Sequence, residues 1–230
     1  MSTQQPMILH AHPGPNPWKV VILLEELNLP YSTIIHTTPE LKQPDFLALN
    51  PNGKAPVIED PNTDLLLAES GAIMEYVLEH DTEKRISFPT VKEQWLMKQW
   101  LQFQTTTQGP LLQQIFFWTS AIPNKEARGK YVGDFRRVLR VLDDELMGKE
   151  WLVGGKCSAA DLSYAPFHGR MGFIMGVDGP DVEAEFPNVD AWYKRMLARP
   201  SVQKAEDGRN AAFKESLSRD ANLAKRVGQQ

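Results

Sequence analysis

Lys54-Ala55-Pro56-Val57-Ile58, followed shortly by Glu69-Ser70-Gly71, is the stretch on which the fold turns. Proline has no N–H, so within a sheet it is confined to an edge, a strand start or a bulge. An X-Pro bond is also the one common place for a cis peptide. Pro56 therefore marks the mouth of a strand beginning at Val57. A cis Ala55-Pro56 bond would turn the backbone groups of Val57 outward, to pair with the main chain of a ligand. Glu69 and Ser70 stand where a helix begins. There they would offer free N–H groups, a hydroxyl and a carboxylate to the same ligand. The pair suits the holding of a short peptide. Taken singly, the two motifs are a turn proline and a helix cap.

Around this stretch, residues 7 to 80 alternate in type. Met7-Ile8-Leu9-His10 has the apolar character of a short strand, and Pro13-Gly14-Pro15-Asn16-Pro17 is a breaker cluster. Asn16 suits an N-cap and Pro17 the first helical position, so a helix is expected from Trp18 to Asn28. Tyr31 to Thr37 is β-branched and strand-like, and Pro44 to Leu49 suits one short helix. Val57–Glu59 and Leu65–Leu67 flank Asp60-Pro61-Asn62 as a hairpin. Glu69 to His80 has helical periodicity. The order β-α-β-α-β-β-α gives a four-stranded mixed sheet.

From Val91 onward the strand signal disappears. One long helical pattern covers Val91 to Trp118, with a kink or break expected at Gly109-Pro110. A second runs from Asn124 to Met147. Ser158-Ala159-Ala160-Asp161 is a capping-box-like start for a third, to about Gly172, and Val189 to Ala198 forms a fourth. The fold class is α/β plus all-α: domains at 7–82 and 92–210, a linker at 83–91, and a polar, frayed tail at 211–230.

The totals exclude several classes. The chain has 230 residues and a net charge of −4 without a basic block, so nucleic acid is not expected as a partner. No apolar run approaches the ~20 residues that span a bilayer. Met1 to Pro6 is polar and lacks signal-peptide character. Cys157 is the only cysteine, so no intrachain disulfide forms, which fits a reducing, cytoplasmic setting. His10-Ala11-His12 would share a strand face, but no third ligand is evident, and no metal site is expected.

Four further stretches accompany the opening pair. They are Gly14-Pro15-Asn16-Pro17-Trp18-Lys19-Val20, Asn50-Pro51-Asn52-Gly53-Lys54-Ala55-Pro56, Trp100-Leu101-Gln102-Phe103-Gln104 with Gly109-Pro110, and Glu150-Trp151-Leu152-Val153-Gly154. In this order and spacing the chain resembles a cytosolic glutathione transferase. The resemblance extends from Met7 to about Ala205 and is to the fungal nitrogen-regulator-like (Ure-type) branch, related to the bacterial Nu class. It implies a thioredoxin-like N-terminal domain, a helical C-terminal domain shaping the second-substrate pocket, and a homodimer. Glutathione is implied as cosubstrate, with no tightly bound cofactor.

The resemblance also implies site residues. Asn16 stands near the glutathione sulfur, with N–H groups of the helix start, including that of Trp18. Val57, after Ala55-Pro56, pairs with the cysteinyl main chain. Glu69 takes the γ-glutamyl ammonium and Ser70 its carboxylate, while Lys54 and Lys42 meet the glycyl carboxylate. Gly14 replaces the threonine or serine of many relatives, and Pro17 a common glycine, which leaves thiol activation to Asn16 and the helix start. A free thiol has a pKa of ~8.5, and one hydrogen bond plus the helix dipole supplies roughly 1.5–3 kcal/mol toward the thiolate. Asn16 can also be a plain cap.

Phe116, Phe117 and Trp118 either line the second-substrate pocket or pack in the core. His168 and Arg170 either face the cleft or have a solvated or core-satisfied side chain. Trp95, Trp100 and Trp192 are expected in the core. Asp161 is expected as a folding cap, and Cys157, remote from the first helix, is not a catalytic thiol.

The function expected is glutathione conjugation to a small electrophile in detoxification, or glutathione-dependent reduction of a peroxide or disulfide. The alternatives are a glutathione-assisted step in a biosynthetic pathway (sulfur incorporation or isomerisation) and a non-catalytic regulatory or binding protein. The last is disfavoured because the fold begins after about six residues, with no asparagine-rich leader.

Overall fold

The structure is a computed structural model and describes residues 5–175 and 179–220. The chain divides into two compact units. The first runs to Asp81 and takes the chain back from Gln203; the second is Thr82–Val202.

In the first unit, β1 (Met7–Ala11) is almost wholly buried, as a central strand should be. The helix α1 (Pro15–Glu26) connects it to β2 (Tyr31–Ile35), which pairs parallel to β1 with Met7 opposite Tyr31. After α2 (Pro44–Leu49), β3 (Val57–Asp60) and β4 (Leu65–Ala68) form the expected hairpin. β3 also runs antiparallel to β1, giving the order β2-β1-β3-β4. α3 (Ser70–Leu78) packs against α1. Every residue of α1 from Pro17 to Leu24 is buried, so this helix is covered on all sides rather than lying on a surface.

α1 starts two residues earlier than the sequence suggests. Gly14 is the N-cap and Pro15 the first helical residue, which places Asn16 inside the first turn rather than at the cap. Pro15 fits that position for the reason given for Pro17: its fixed φ is already helical and no N–H is wasted. In place of a side-chain cap, the Gly14 N–H donates to His12 Nδ1 at 3.0 Å.

Among its described residues the second unit contains helices and turns but no strand. α4 (Val91–Phe103) and α5 (Gly109–Phe116) are not separated by a break at Gly109-Pro110. A wide π-turn, Gln104–Gln108, comes immediately before, and a second, Phe117–Ala121, follows α5. Proline lacks an N–H and collides with the carbonyl four residues back. The π-turn widens the backbone there, and the helix passes through the proline.

α6 (Lys125–Glu145) begins at Asn124, whose Oδ1 accepts from the Ala127 N–H at 3.0 Å. The expected third helix is divided into α7 (Ala159–Leu162) and α8 (Ala165–Met175), because Pro166 cannot continue the α7 ladder. α9 (Val182–Glu185) and α10 (Pro187–Leu197) follow.

Asp161 organises this unit. Its carboxylate accepts from the N–H groups of Leu152 and Ser158, the Ser158 hydroxyl and Trp192 Nε1, all at 2.9 Å. Burial pushes its pKa up, and the four donors oppose that shift. Trp100 and Trp192 are core residues, but Trp95 is 66% exposed with Lys98 over its ring. Helical periodicity marks an apolar stripe without saying which side meets the core.

α11 (Pro200–Arg219) begins directly at Pro200, which ends α10 and opens the next helix. The segment expected as a frayed tail is helical through Arg219; the remainder, 221–230, lies outside the described residues. The helix is tied to the first unit. Lys204 pairs with Glu25 at 2.6 Å, and Arg219 grips Glu40 at 2.6 Å while donating to the Ile35 carbonyl at 3.2 Å. At Gly208 any side chain would place a Cβ 2.7 Å from the Trp18 ring, so glycine allows this close approach.

Candidate glutathione site

The loop before β3 is built by Asn50. Its Nδ2 donates to the Lys54 carbonyl at 2.7 Å, and its Oδ1 accepts from the Asn52 N–H at 3.0 Å. Lys42 Nζ donates to the Gly53 carbonyl at 2.6 Å. Gly53, at φ +61°, permits the tight approach of Lys42 and the Leu41 carbonyl. The Ala55-Pro56 bond is cis. Val57 opens β3 between His10 and Ala68, over a small apolar cluster with Leu41 and Phe46. Lys54 is exposed beside it.

Glu69 is exposed, at φ 73°, a left-handed backbone that a residue with a side chain rarely adopts. It serves as N-cap of α3 without a side-chain cap bond, so its carboxylate is not spent on its own helix. Ser70, the first residue of α3, is 8% exposed, and its hydroxyl donates to Asn16 Oδ1 at 3.5 Å. Two helix starts, those of α1 and α3, are thereby brought together through Ser70 and Asn16. Trp18 is buried, its Nε1 donating to the His12 carbonyl at 3.1 Å.

Three features of this site are missing from the sequence reading. Lys19 is 1% exposed, directly behind Ser70, with Nζ 3.4 Å from the Ser70 hydroxyl oxygen. Burial lowers its ammonium pKa to about 7. His12 leaves the strand face it was expected to share with His10. It binds Thr38 through Nε2 at 3.1 Å, and burial lowers its pKa to about 4. His10 instead contacts Glu59 at 2.5 Å and His36 at 3.0 Å. Asn50 carries the third signal: an asparagine before a Pro-Asn-Gly turn could have been read as its scaffold.

The other expected site residues belong to the second unit. Phe116 and Phe117 are 42% and 38% exposed, so ordinary core packing does not account for them. Trp118 lies edge-on to Phe117. Arg170 stacks its guanidinium on Phe173. His168 is 4% exposed, among Tyr164, Trp192 and Tyr193. It lines a cavity of about 220 Å³ with Met171, Asp190 and Tyr193, and burial lowers its pKa to about 4. Among the described residues no group of three or more histidines, cysteines or carboxylates could hold a metal, and no helix is long and apolar enough to cross a membrane.

Comparison with known proteins decides the family. Residues 13–80 match the glutathione S-transferase N-terminal domain and residues 110–200 the glutathione S-transferase C-terminal domain. The chain belongs to the glutathione S-transferase family. It is similar to the glutathione S-transferase-like protein tpcF of Aspergillus fumigatus, 43% identical over 87% of this chain and 94% of that protein. It is also similar to glutathione S-transferase 2 of Schizosaccharomyces pombe, 39% identical over 85% of this chain and 92% of that one. The glutathione transferase URE2P8 from Phanerochaete chrysosporium, solved with oxidized glutathione, superimposes with a TM-score of 0.86. It is 35% identical, over 93% of this chain and 99% of that structure. The Ure-type relatives, the thioredoxin-like domain and the helical domain are those the sequence resemblance implies.

Proposed function

We propose that this transferase binds glutathione in its first unit and ionises its thiol for attack on a small electrophile. The observation that carries the reading is the meeting of two helix starts, with Asn16 in the first turn of α1 hydrogen-bonded to Ser70 at the start of α3. Helix N-termini favour anions. The main-chain N–H groups at the α3 start, where Ser70 stands, take the γ-glutamyl carboxylate, and Glu69 takes the ammonium. Val57 pairs with the cysteinyl main chain, while Lys54 and Lys42 serve the glycyl end. Asn16 and the α1 start face the sulfur.

The thiolate forms a carbon–sulfur bond, and the displaced group leaves with the bonding electrons. The same nucleophile opens a disulfide by exchange, releasing the other sulfur as a thiolate. URE2P8, solved with oxidized glutathione, is a relative that accommodates a disulfide-containing ligand. Phe116, Phe117, Trp118, His168 and Arg170 stay candidates for second-substrate selection. A homodimer is the expected assembly, with the exposed apolar side chains of Val91 and Trp95 on α4 as candidate contact residues, checked by light scattering.

The test is retention on immobilised glutathione, with a thiolate absorbance titration of wild type and Asn16→Ala. The expected outcome is a bound thiol whose pKa lies below ~8.5 in the wild type and returns toward it in the variant. Unchanged thiol ionisation and turnover in Asn16→Ala would remove Asn16 from the mechanism. Turnover of an aromatic halide, an organic peroxide and a small disulfide then separates conjugation from reduction.

A further inference from the structure

Asparagine is an ambiguous neighbour for a thiolate. Its amide has a carbonyl oxygen that would repel the sulfur and an NH2 group that would stabilise it, and the two ends are nearly isosteric. Something must fix which end faces the ligand. The buried side of the site contains such a device. Lys19 lies in the second turn of α1, sealed from solvent by the core of the first unit, with its Nζ 3.4 Å from Ser70 Oγ. Ser70 Oγ is in turn 3.5 Å from Asn16 Oδ1.

Lys19 Nζ keeps N–H donors in either charge state, and it donates to the Ser70 hydroxyl oxygen. Facing Lys19, the Ser70 hydroxyl oxygen must accept. A hydroxyl has one proton, and with its lone pair turned to Lys19 that proton is directed at Asn16. Asn16 can accept it only through Oδ1, which leaves Nδ2 as the end presented outward. We infer that Lys19, Ser70 and Asn16 form a one-way relay in which the buried Lys19 sets the polarity of the Asn16 amide, so that Asn16 meets the glutathione sulfur as a hydrogen-bond donor. Lys19 is thus a positioning residue, acting two links away from the sulfur.

The relay makes a second demand on Ser70. Its single proton is committed to Asn16, so the γ-glutamyl carboxylate is held by the main-chain N–H groups at the start of α3 rather than by the hydroxyl. Both contacts lie at the outer range of hydrogen bonding, and such contacts tighten when substrate fills a site. The arrangement also gives a buried cation a reason to be kept where an apolar side chain would pack.

The inference rests on the glutathione site proposed above, and the experiment separates the two. Wild type, Lys19→Met and Ser70→Ala are compared by calorimetric glutathione binding and by thiolate absorbance against pH. Steady-state turnover of an aromatic halide completes the comparison. The relay predicts that both variants bind glutathione within about threefold of wild type, while the ionisation midpoint of the bound thiol rises by about one pH unit. Turnover below that midpoint falls about tenfold in kcat, with KM for glutathione little changed. A merely structural lysine would not move the thiol midpoint. Variants that bind glutathione and keep the wild-type midpoint overturn the relay and leave the glutathione site standing. A Ser70→Ala variant whose loss lies in affinity alone overturns it too, because the hydroxyl would then serve the carboxylate. Should Lys19→Met fail to fold, Ser70→Ala decides the matter alone. A wild-type chain that does not bind glutathione overturns both readings.

Discussion

Replacing Lys19 with methionine should make the protein more stable. The side chain is 1% exposed, and burial alone lowers its ammonium pKa from 10.5 to about 7. The unfolded chain holds the proton up to about pH 10.4, whereas the folded chain releases it near pH 7. Between those limits the unfolded state binds more protons, so wild-type stability rises with pH across that window and is lowest at and below its acid end. Each pH unit contributes ~1.4 kcal/mol, which bounds the full penalty at about 5 kcal/mol. Methionine is unbranched, fills the same channel and carries no charge. Urea unfolding of both proteins at about pH 7 and about pH 9.5 should show the variant ahead by about 3–5 kcal/mol at the first pH, the gap closing to about 1–2 kcal/mol at the second. The urea dependence itself should be unchanged. A variant less stable than wild type at neutral pH, or a stability gap independent of pH, would refute the assignment of Lys19 as a buried, desolvated cation.

Three further outcomes are expected. Asp161→Ala should cost about 3–5 kcal/mol in urea unfolding, because it strands four buried donors around Leu152, Ser158 and Trp192. His168 stays neutral in the fold down to about pH 4, while the unfolded imidazole gains its proton near pH 6.5. Its stabilising contribution, present above that upper limit, is therefore lost as pH falls, and His168→Leu should remove up to ~3 kcal/mol of acid sensitivity in that window. Glu69→Gly relieves a left-handed backbone and should leave the melting temperature equal or higher, yet weaken retention on immobilised glutathione by at least about tenfold.

Local chemistry was the legible part of this chain. Pro56 and the Asp60-Pro61-Asn62 turn fix their own geometry, and Ser158 with Asp161 makes a capping box from neighbours in sequence. The strands, the hairpin and α6 follow for the same reason. Features set by tertiary context were not legible. The start of α1 depended on which of three prolines the surrounding chain would accept at the first helical position. Trp95 points outward and Lys19 inward, each against its polarity, because the turn of a helix about its axis is decided by what packs on it. The left-handed Glu69 carries no residue-type signal, since that conformation is imposed by the junction of β4 and α3.

The return of the chain to its first unit has a consequence for how the protein is made and modified. The last helix, through Lys204, Gly208 and Arg219, supports the underside of α1 and the edge strand β2. A ribosome therefore releases the strands and helices of the first unit long before the piece that braces them. The unit is complete only once α11 has emerged, after the whole of the second unit. For the protein engineer the boundary is equally awkward. A graft that exchanges the helical unit to alter substrate choice needs two cuts, near Thr82 and near Val202, and must return the final helix to its original owner.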